Sequence, residues 1–292
     1  MAGMSVQTIT PELRQWIVEQ ATAGCSPDAV LKAMLASGWQ EDVAVQAMEE
    51  TLATYLRERG VSPDAAVAAA DVDPRPMPAP DLRDSPNVLW AGDREVSVVM
   101  TMQEPRVVVF GGLLSDDECD ELRALAEPRL ARSETVRTDT GGSEVSDART
   151  SEGMFFQRAE HPLCERIERR IATLLRWPMD HGEGLQVLRY RPGAEYKPHY
   201  DYFDPAQPGT PSILKRGGQR VGTVVMYLNT PEQGGATTFP DVKLEVAPVK
   251  GNAVFFSYDR PHPMTRTLHG GAPVLRGEKW VATKWLREGR FD

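Results

Sequence analysis

The chain has 292 residues, 41% of them hydrophobic and 26% charged, with a formal net charge of −9 and a pI near 5.2. That length is ample for a sizeable core and for two domains. The acidic balance excludes a general nucleic-acid or membrane-surface binder, because no whole-chain positive field exists to attract phosphates. The first residues lack the basic-then-apolar pattern of a secretion signal, and no apolar run reaches the ~18 residues that span a bilayer. A cytoplasmic protein is therefore expected. Cys25, Cys119 and Cys164 are odd in number and far apart, which fits reduced, mostly buried thiols better than a disulfide framework or a zinc site.

Residues 1–59 carry a helical period. Thr10-Pro11 reads as N-cap and first helical residue of a helix bearing Leu13, Trp16, Ile17 and Gln20, which Gly24 stops. Ser26-Pro27 repeats the device for Val30, Leu31, Met34 and Leu35, with Ser37-Gly38-Trp39 at its end. A third helix carries Val43, Ala47, Met48, Leu52 and Tyr55. Three short helices, a buried Trp and a Gly-Trp turn resemble a ubiquitin-associated (UBA-like) three-helix bundle. The resemblance implies a protein-binding module; a packing or dimerisation appendage is the alternative, and so small a bundle has reason to dock on the rest of the chain. Residues 60–87 turn Ala-rich and then alternate prolines up to Pro80, an extended linker read as a spacer.

From residue 88 to 292 the period changes. Val96–Met102 and Arg106–Phe110 are rich in β-branched residues and predict strands. Ser115-Asp-Asp-Glu118 is a capping box that opens a helix with Cys119, Leu122 and Leu125 on its apolar face. Thr138–Ser146 reads as a loop, Arg149–Phe156 as a strand, and His161–Arg176 as a second helix with Ile167, Ile171, Leu174 and Leu175 inward. Beyond Gly184 only short strands and turns are expected: Leu185–Tyr190, Arg220–Leu228, Lys243–Val246, Asn252–Phe256, one near Pro273, and Lys279–Leu286. Short strands split by Gly/Pro clusters predict an α+β chain whose main domain is a jelly roll (double-stranded β-helix) with its helices packed outside.

Within that series, Tyr190-Arg-Pro-Gly-Ala-Glu-Tyr-Lys-Pro-His199-Tyr-Asp201 places an imidazole and a carboxylate two residues apart. On a strand such positions share a face, so His199 and Asp201 can converge on one ion. A second histidine would complete a 2-His-1-carboxylate site of the kind that binds non-haem Fe(II). His269, in Thr-Leu-His-Gly-Gly, lies far downstream, and Lys279 follows it in Gly-Glu-Lys-Trp. A late basic residue can pair with a carboxylate of a dicarboxylate co-substrate, strongly so in a dry pocket.

Further segments carry the same pattern: Tyr190-x-x-Gly193-x-x-Tyr196-x-x-His199-x-Asp201-Tyr-Phe203, Gly218-Gln-Arg220, Tyr227-Leu-Asn229, Gly234-Gly-Ala-Thr-Thr238-Phe-Pro240, Leu268-His269-Gly, and Gly277-Glu-Lys279 running to Trp285. From about Val107 to Leu286 the chain resembles the prolyl 4-hydroxylase branch of the Fe(II)/2-oxoglutarate dioxygenases. The resemblance implies that His199, Asp201 and His269 bind iron. It implies that Lys279 pairs with the distal carboxylate of 2-oxoglutarate, with Tyr190 and Thr238 hydrogen-bonding near it. It implies that Arg149, Ser151, Glu183, Arg220 and Trp285 line a peptide groove. The expected activity is hydroxylation of a prolyl residue in a peptide or protein, giving succinate and CO₂, with ascorbate as a further cofactor. Arg287 stands where the family often has a histidine two residues past the tryptophan, a departure that bears on peptidyl-proline specificity.

Other readings stand beside these. His262, between two prolines, competes with His269 as third ligand, and His181-x-Glu183 is a second histidine-carboxylate pair, set among loop glycines. His161 reads as a surface residue at a helix start. Lys279 as a solvated strand charge and Tyr190 as a packing residue are the bland alternatives, as is solvation for the groove Arg and Glu. The same chemistry on another residue or a free amino acid is the alternative function. From another class comes a non-catalytic interaction or sensor protein, in which the helical bundle captures a partner.

Overall fold

The computed structural model describes residues 7, 9–22, 25, 27–58, 77–136, 143–145 and 150–292. The chain divides into two compact units, Met1–Asp73 and Pro74–Asp292. In the first, α1 (Pro11–Thr22), α2 (Pro27–Ala36) and α3 (Glu41–Glu58) share a core of Ile17, Val30, Met34, Ala44, Ala47 and Met48. Trp16 and Trp39 are half-buried at the edge of that core rather than buried within it, and Leu35 is exposed. Gly24 and Ser26, expected to stop and cap helices, and the first part of the expected linker lie outside the described residues.

The second unit opens with β1 (Val88–Trp90), β2 (Glu95–Met102), β3 (Arg106–Gly111), α4 (Asp116–Ala126), β4 (Ala131–Arg132), β5 (Glu134–Val136) and β6 (Ser143–Val145). There follow β7 (Glu152–Phe155), α5 (Pro162–Leu175), β8 (Gln186–Tyr190), β9 (Tyr196–His199), α6 (Thr210–Leu214), β10 (Arg220–Tyr227) and β11 (Gln233–Gly234). Last come β12 (Thr237–Phe239), β13 (Leu244–Val246), β14 (Ala253–Ser257), β15 (His269–Gly271), β16 (Val274–Arg276) and β17 (Lys279–Arg287). A nine-stranded sheet runs in the order β1-β2-β3-β14-β10-β17-β8-β7-β4, and a four-stranded sheet in the order β13-β12-β15-β9. Their ladders are antiparallel, an architecture consistent with a jelly roll.

Both faces of the central strands of the large sheet are buried, so these strands sort residues by parity rather than by polarity. On β3, Val108 and Phe110 join the core against α4 and α5, while Val107 and Val109 face the small sheet. On β17, Trp280, Ala282 and Leu286 face the helices and Val281 faces the small sheet. Lys279, Trp285 and Arg287 share the parity of Val281. Lys279 and Arg287 therefore lie on the small-sheet side, whereas Lys284, of the other parity, pairs with Glu168 of α5.

The helices begin where their capping residues stand. Ser115 and Glu118 form the reciprocal capping box of α4, and His161 accepts from Leu163 N as N-cap of α5, which ends on Arg176 in the left-handed region. The end of the expected linker is docked rather than a free spacer: Ala79 N donates to Leu175 O at 3.0 Å, and Pro78 and Pro80 are buried. The last carbonyls of a helix need donors, and the linker backbone supplies one.

Three further expectations change. Thr210–Leu214 is a short helix inside a stretch expected to hold only strands and turns. Ser143–Val145 pairs with Glu134–Val136 within the segment expected to be a loop, the rest of which lies outside the described residues. The strand expected from Arg149 starts at Glu152, and Arg149 lies outside the described residues. Cys25 is exposed, unlike buried Cys119 and Cys164, and all three are free.

Candidate active site

β9 ends on His199, and Asp201 sits in the bend just beyond it. The two converge through that bend rather than along one strand face. β15 starts with His269, the register partner of His199. His199 Nε2 lies 3.6 Å from Asp201 Oδ1, and His269 Nε2 lies 3.4 Å from Asp201 Oδ2. One ligand atom from each residue falls within 4.8 Å of the others.

Each imidazole has its other nitrogen against a carbonyl: His199 Nδ1 is 2.9 Å from Lys197 O, and His269 Nδ1 is 2.9 Å from Thr267 O. A carbonyl only accepts, so Nδ1 carries a proton in both rings, and Nε2 is the nitrogen turned to the cluster. Burial, and then His269, push the His199 pKa below its usual value. Burial alone would raise Asp201, but His269 and His199 outweigh it and hold the carboxyl well below the usual range. A neutral imidazole beside an ionised carboxylate is the protonation state metal ligands need. Tyr196 stacks on His199 at 3.7 Å between centroids, and Phe256 and Phe239 flank His269 at 4.4 and 6.0 Å.

Gly193 has φ +83° and donates to Val274 O, which turns the chain between β8 and β9. Gly270 allows the two histidine strands to touch. A Cβ there would lie 2.8 Å from Tyr196 O and 3.2 Å from Pro198 N. Gly270→Ala is expected to lower stability by about 1–3 kcal/mol through overpacking and to spread the histidines. A thermal melt and a Mn(II) titration check this, and unchanged metal affinity would show that the close approach is dispensable.

Lys279 is the register partner of Tyr190 and is only 4% exposed. Its Nζ lies 5.5 Å from the Tyr190 ring centroid and 5.9 Å from that of Tyr227. Among the described residues no carboxylate pairs with it, and burial lowers its pKa to about 8. A buried ammonium without a counter-charge is costly, and it is complementary to an incoming carboxylate. A Cβ on Gly271 would sit 3.7 Å from Lys279 Nζ, so this charge lies against the strand that carries His269.

On β12 the expected Thr238 is half-buried. Thr237, buried, shares the face of Phe239 and accepts from Tyr227 Oη at 2.8 Å. The threonine on the Lys279 side is thus Thr237, and Thr238 points to the opposite face. Tyr227 stands in the Tyr227-Leu-Asn229 segment but received no site role from the sequence; its parity with Val225 on β10 was the available signal.

Of the expected groove residues, Glu183, Arg220 and Trp285 come together. Glu183 Oε1 accepts from Arg220 Nε at 2.6 Å and from Arg287 Nε at 2.8 Å, and its Oε2 accepts from Arg220 Nη2 at 3.0 Å. Burial would raise the Glu183 pKa, but the two guanidinium groups hold it below the usual value. Arg220 stacks over Trp285 at 4.0 Å and reaches Asp201 O at 3.4 Å. Arg287 donates to Gly218 O at 2.7 Å, so the departure from histidine serves as a clamp on Glu183. Among the described residues, buried Trp285 Nε1 has no hydrogen-bond partner.

Ser151 does not line this groove: it is fully buried and its Oγ donates to Ser133 Oγ at 2.9 Å. His181 packs edge-on against Trp177, away from the cluster. His262 accepts from Met264 N at the start of a 3-10 turn. Neither joins His199 and Asp201.

The sequence profile of the 2OG-Fe(II) oxygenase superfamily matches residues 185–287. Probable prolyl 4-hydroxylase 3 of Arabidopsis thaliana is 41% identical over 209 residues, covering 64% of this chain and 71% of that protein. Prolyl 4-hydroxylase 1 of the same plant is 40% identical over 225 residues, 68% of this chain and 77% of that protein. Among solved structures, the viral collagen prolyl hydroxylase of Paramecium Bursaria Chlorella virus-1, in its 2OG complex, is 32% identical with a TM-score of 0.48, covering 62% of this chain and 95% of that one. With relatives this similar over most of their length, the chain belongs to the prolyl 4-hydroxylase family of 2OG-Fe(II) oxygenases.

Proposed function

We propose that the prolyl hydroxylation carried out by this 2OG-Fe(II) oxygenase runs at the cluster of His199, Asp201 and His269. These three would hold Fe(II), and Lys279 would bind the distal carboxylate of 2-oxoglutarate, with Tyr190 and Thr237 beside it. The observation that carries the reading is the buried ammonium of Lys279, which pairs with no carboxylate among the described residues and lies against the strand that carries His269. Three protein ligands leave the remaining positions of an iron site open for co-substrate and O₂. When bound, iron supplies the oxidation itself: 2-oxoglutarate and O₂ yield succinate and CO₂ as one oxygen atom enters a C–H bond of the prolyl ring.

The chain's own residues bind, orient and exclude water. Arg220 and Trp285 offer donors toward a substrate carbonyl; Glu183, held by Arg287, keeps the Arg220 guanidinium stacked on Trp285. The rings of Tyr196, Phe239 and Phe256 wall the histidines, and a dry site strengthens the Lys279–carboxylate pair. The substrate in this reading is a peptide or protein, ascorbate is an accessory reductant, and the setting is cytoplasmic, without nucleic-acid or membrane partners. The N-terminal helices, as a UBA-like three-helix bundle, would recruit a protein partner ahead of the jelly-roll domain. Incubating proline-containing peptides with the full chain, Fe(II), 2-oxoglutarate and air should add one oxygen to proline, with one succinate formed per hydroxylation. Oxygen mapped to another residue, or to a free amino acid alone, would overturn the peptidyl-proline assignment.

A further inference from the structure

Behind the cluster, Asp201 Oδ2 accepts from Thr223 Oγ1 at 2.7 Å, and Thr223 Oγ1 lies 3.2 Å from Tyr258 Oη. An ionised carboxylate can only accept, so the single hydroxyl proton of Thr223 goes to Asp201. Tyr258 must then give its own proton to Thr223. The direction of the chain is fixed: Tyr258 to Thr223 to Asp201. All three side chains are buried. Thr223 shares the parity of Tyr227 on β10, and its register partners Phe256 and Trp285 close it off on either side. Tyr258 directly follows β14, and its own N–H is held by Val221 O at 3.1 Å. Asp201 Oδ1, 3.6 Å from His199 Nε2, takes no part in this chain, while Oδ2 also lies 3.4 Å from His269 Nε2.

We propose that Thr223, itself oriented by Tyr258, is a positioning residue that holds the Asp201 carboxylate, through Oδ2, in its orientation toward the metal-ligand cluster. The inference rests on the reading that His199, Asp201 and His269 hold the metal. Outer-shell hydrogen bonds of this kind orient ligands, and losing one costs about 10–100-fold in metal affinity.

The test is a titration of the full chain with Mn(II), following the paramagnetic resonance of the free ion, alongside the visible band of the anaerobic Fe(II)–2-oxoglutarate complex. Thr223→Val, which keeps the shape and removes the hydroxyl, should weaken Mn(II) binding by about 10–100-fold and move the band. Thr223→Ser should restore both. Tyr258→Phe, which leaves Thr223 in place but unoriented, should weaken binding to a smaller degree, and it carries the test if Thr223→Val does not fold. Thr223→Val, or in its stead Tyr258→Phe, with wild-type Mn(II) affinity and an unmoved band would overturn the inference while leaving the metal site intact. Wild-type protein that bound no Mn(II) would overturn the metal reading and this inference together.

Discussion

Lys279→Met should make the free protein more stable and the co-substrate far weaker. Among the described residues no carboxylate pairs with this buried ammonium, and its pKa falls from 10.5 to about 8. A lowered lysine pKa means the folded state disfavours the charged form. The penalty is therefore complete below pH 8 and fades as pH rises toward 10.5. At 1.36 kcal/mol per pK unit, removing the charge should raise neutral-pH stability by on the order of 1–3 kcal/mol, and the gap between wild type and variant should close through that alkaline window. The carboxylate of 2-oxoglutarate, by contrast, loses its partner, at a cost of about 2–5 kcal/mol in binding. In the wild type, affinity should decline by up to about tenfold per pH unit above pH 8, because the free protein must first take up a proton. Urea melts and calorimetry over pH 6–10 check both signs. A variant less stable than wild type that still bound 2-oxoglutarate would mean that Lys279 has a structural role only.

His269→Ala should abolish turnover, a loss of at least 10³-fold, because a direct ligand matters more than the about 10–100-fold typical of outer-shell groups. The ring lies between Phe256 and Phe239, so truncation leaves a small cavity and a modest loss of stability. His262→Ala is the informative companion. His262 stands in the same stretch of chain and is an equally good ligand by residue type, but it only caps a 3-10 turn. Its removal should cost about 0.5–2 kcal/mol of stability and leave Mn(II) affinity unchanged. Reversed behaviour of the two variants would put the third ligand at His262.

What was legible in the chain alone differed from residue to residue for physical reasons. His199, Asp201, His269 and Lys279 are residue types with few substitutes in their roles, and their spacing survives any detail of strand geometry. Helix starts at Ser115 and His161 follow from local capping chemistry, and both appear in place. Face assignment at a pair of like residues was not legible: a one-residue offset reverses the side of a strand, and Thr237 with Thr238 gives no contrast of polarity to resolve it. Ser151 is a related case, since a buried hydroxyl satisfied by Ser133 looks in sequence like any serine on an exposed strand face. Thr210–Leu214 is too short to show a helical period. The docking of Ala79 on Leu175 joins parts of the chain too distant for any local pattern to report. The clamp of Arg287 on Glu183 was visible only as a departure from histidine, and its partner emerged from the cross-strand geometry.

The measurement that bears most directly on this account is anomalous X-ray diffraction at the iron edge from crystals of the full chain grown anaerobically with Fe(II) and 2-oxoglutarate. One strong peak is expected between His199 Nε2, His269 Nε2 and the Asp201 carboxylate, with the distal carboxylate of 2-oxoglutarate against Lys279 Nζ. Iron bound elsewhere, or 2-oxoglutarate seated away from Lys279, would contradict it.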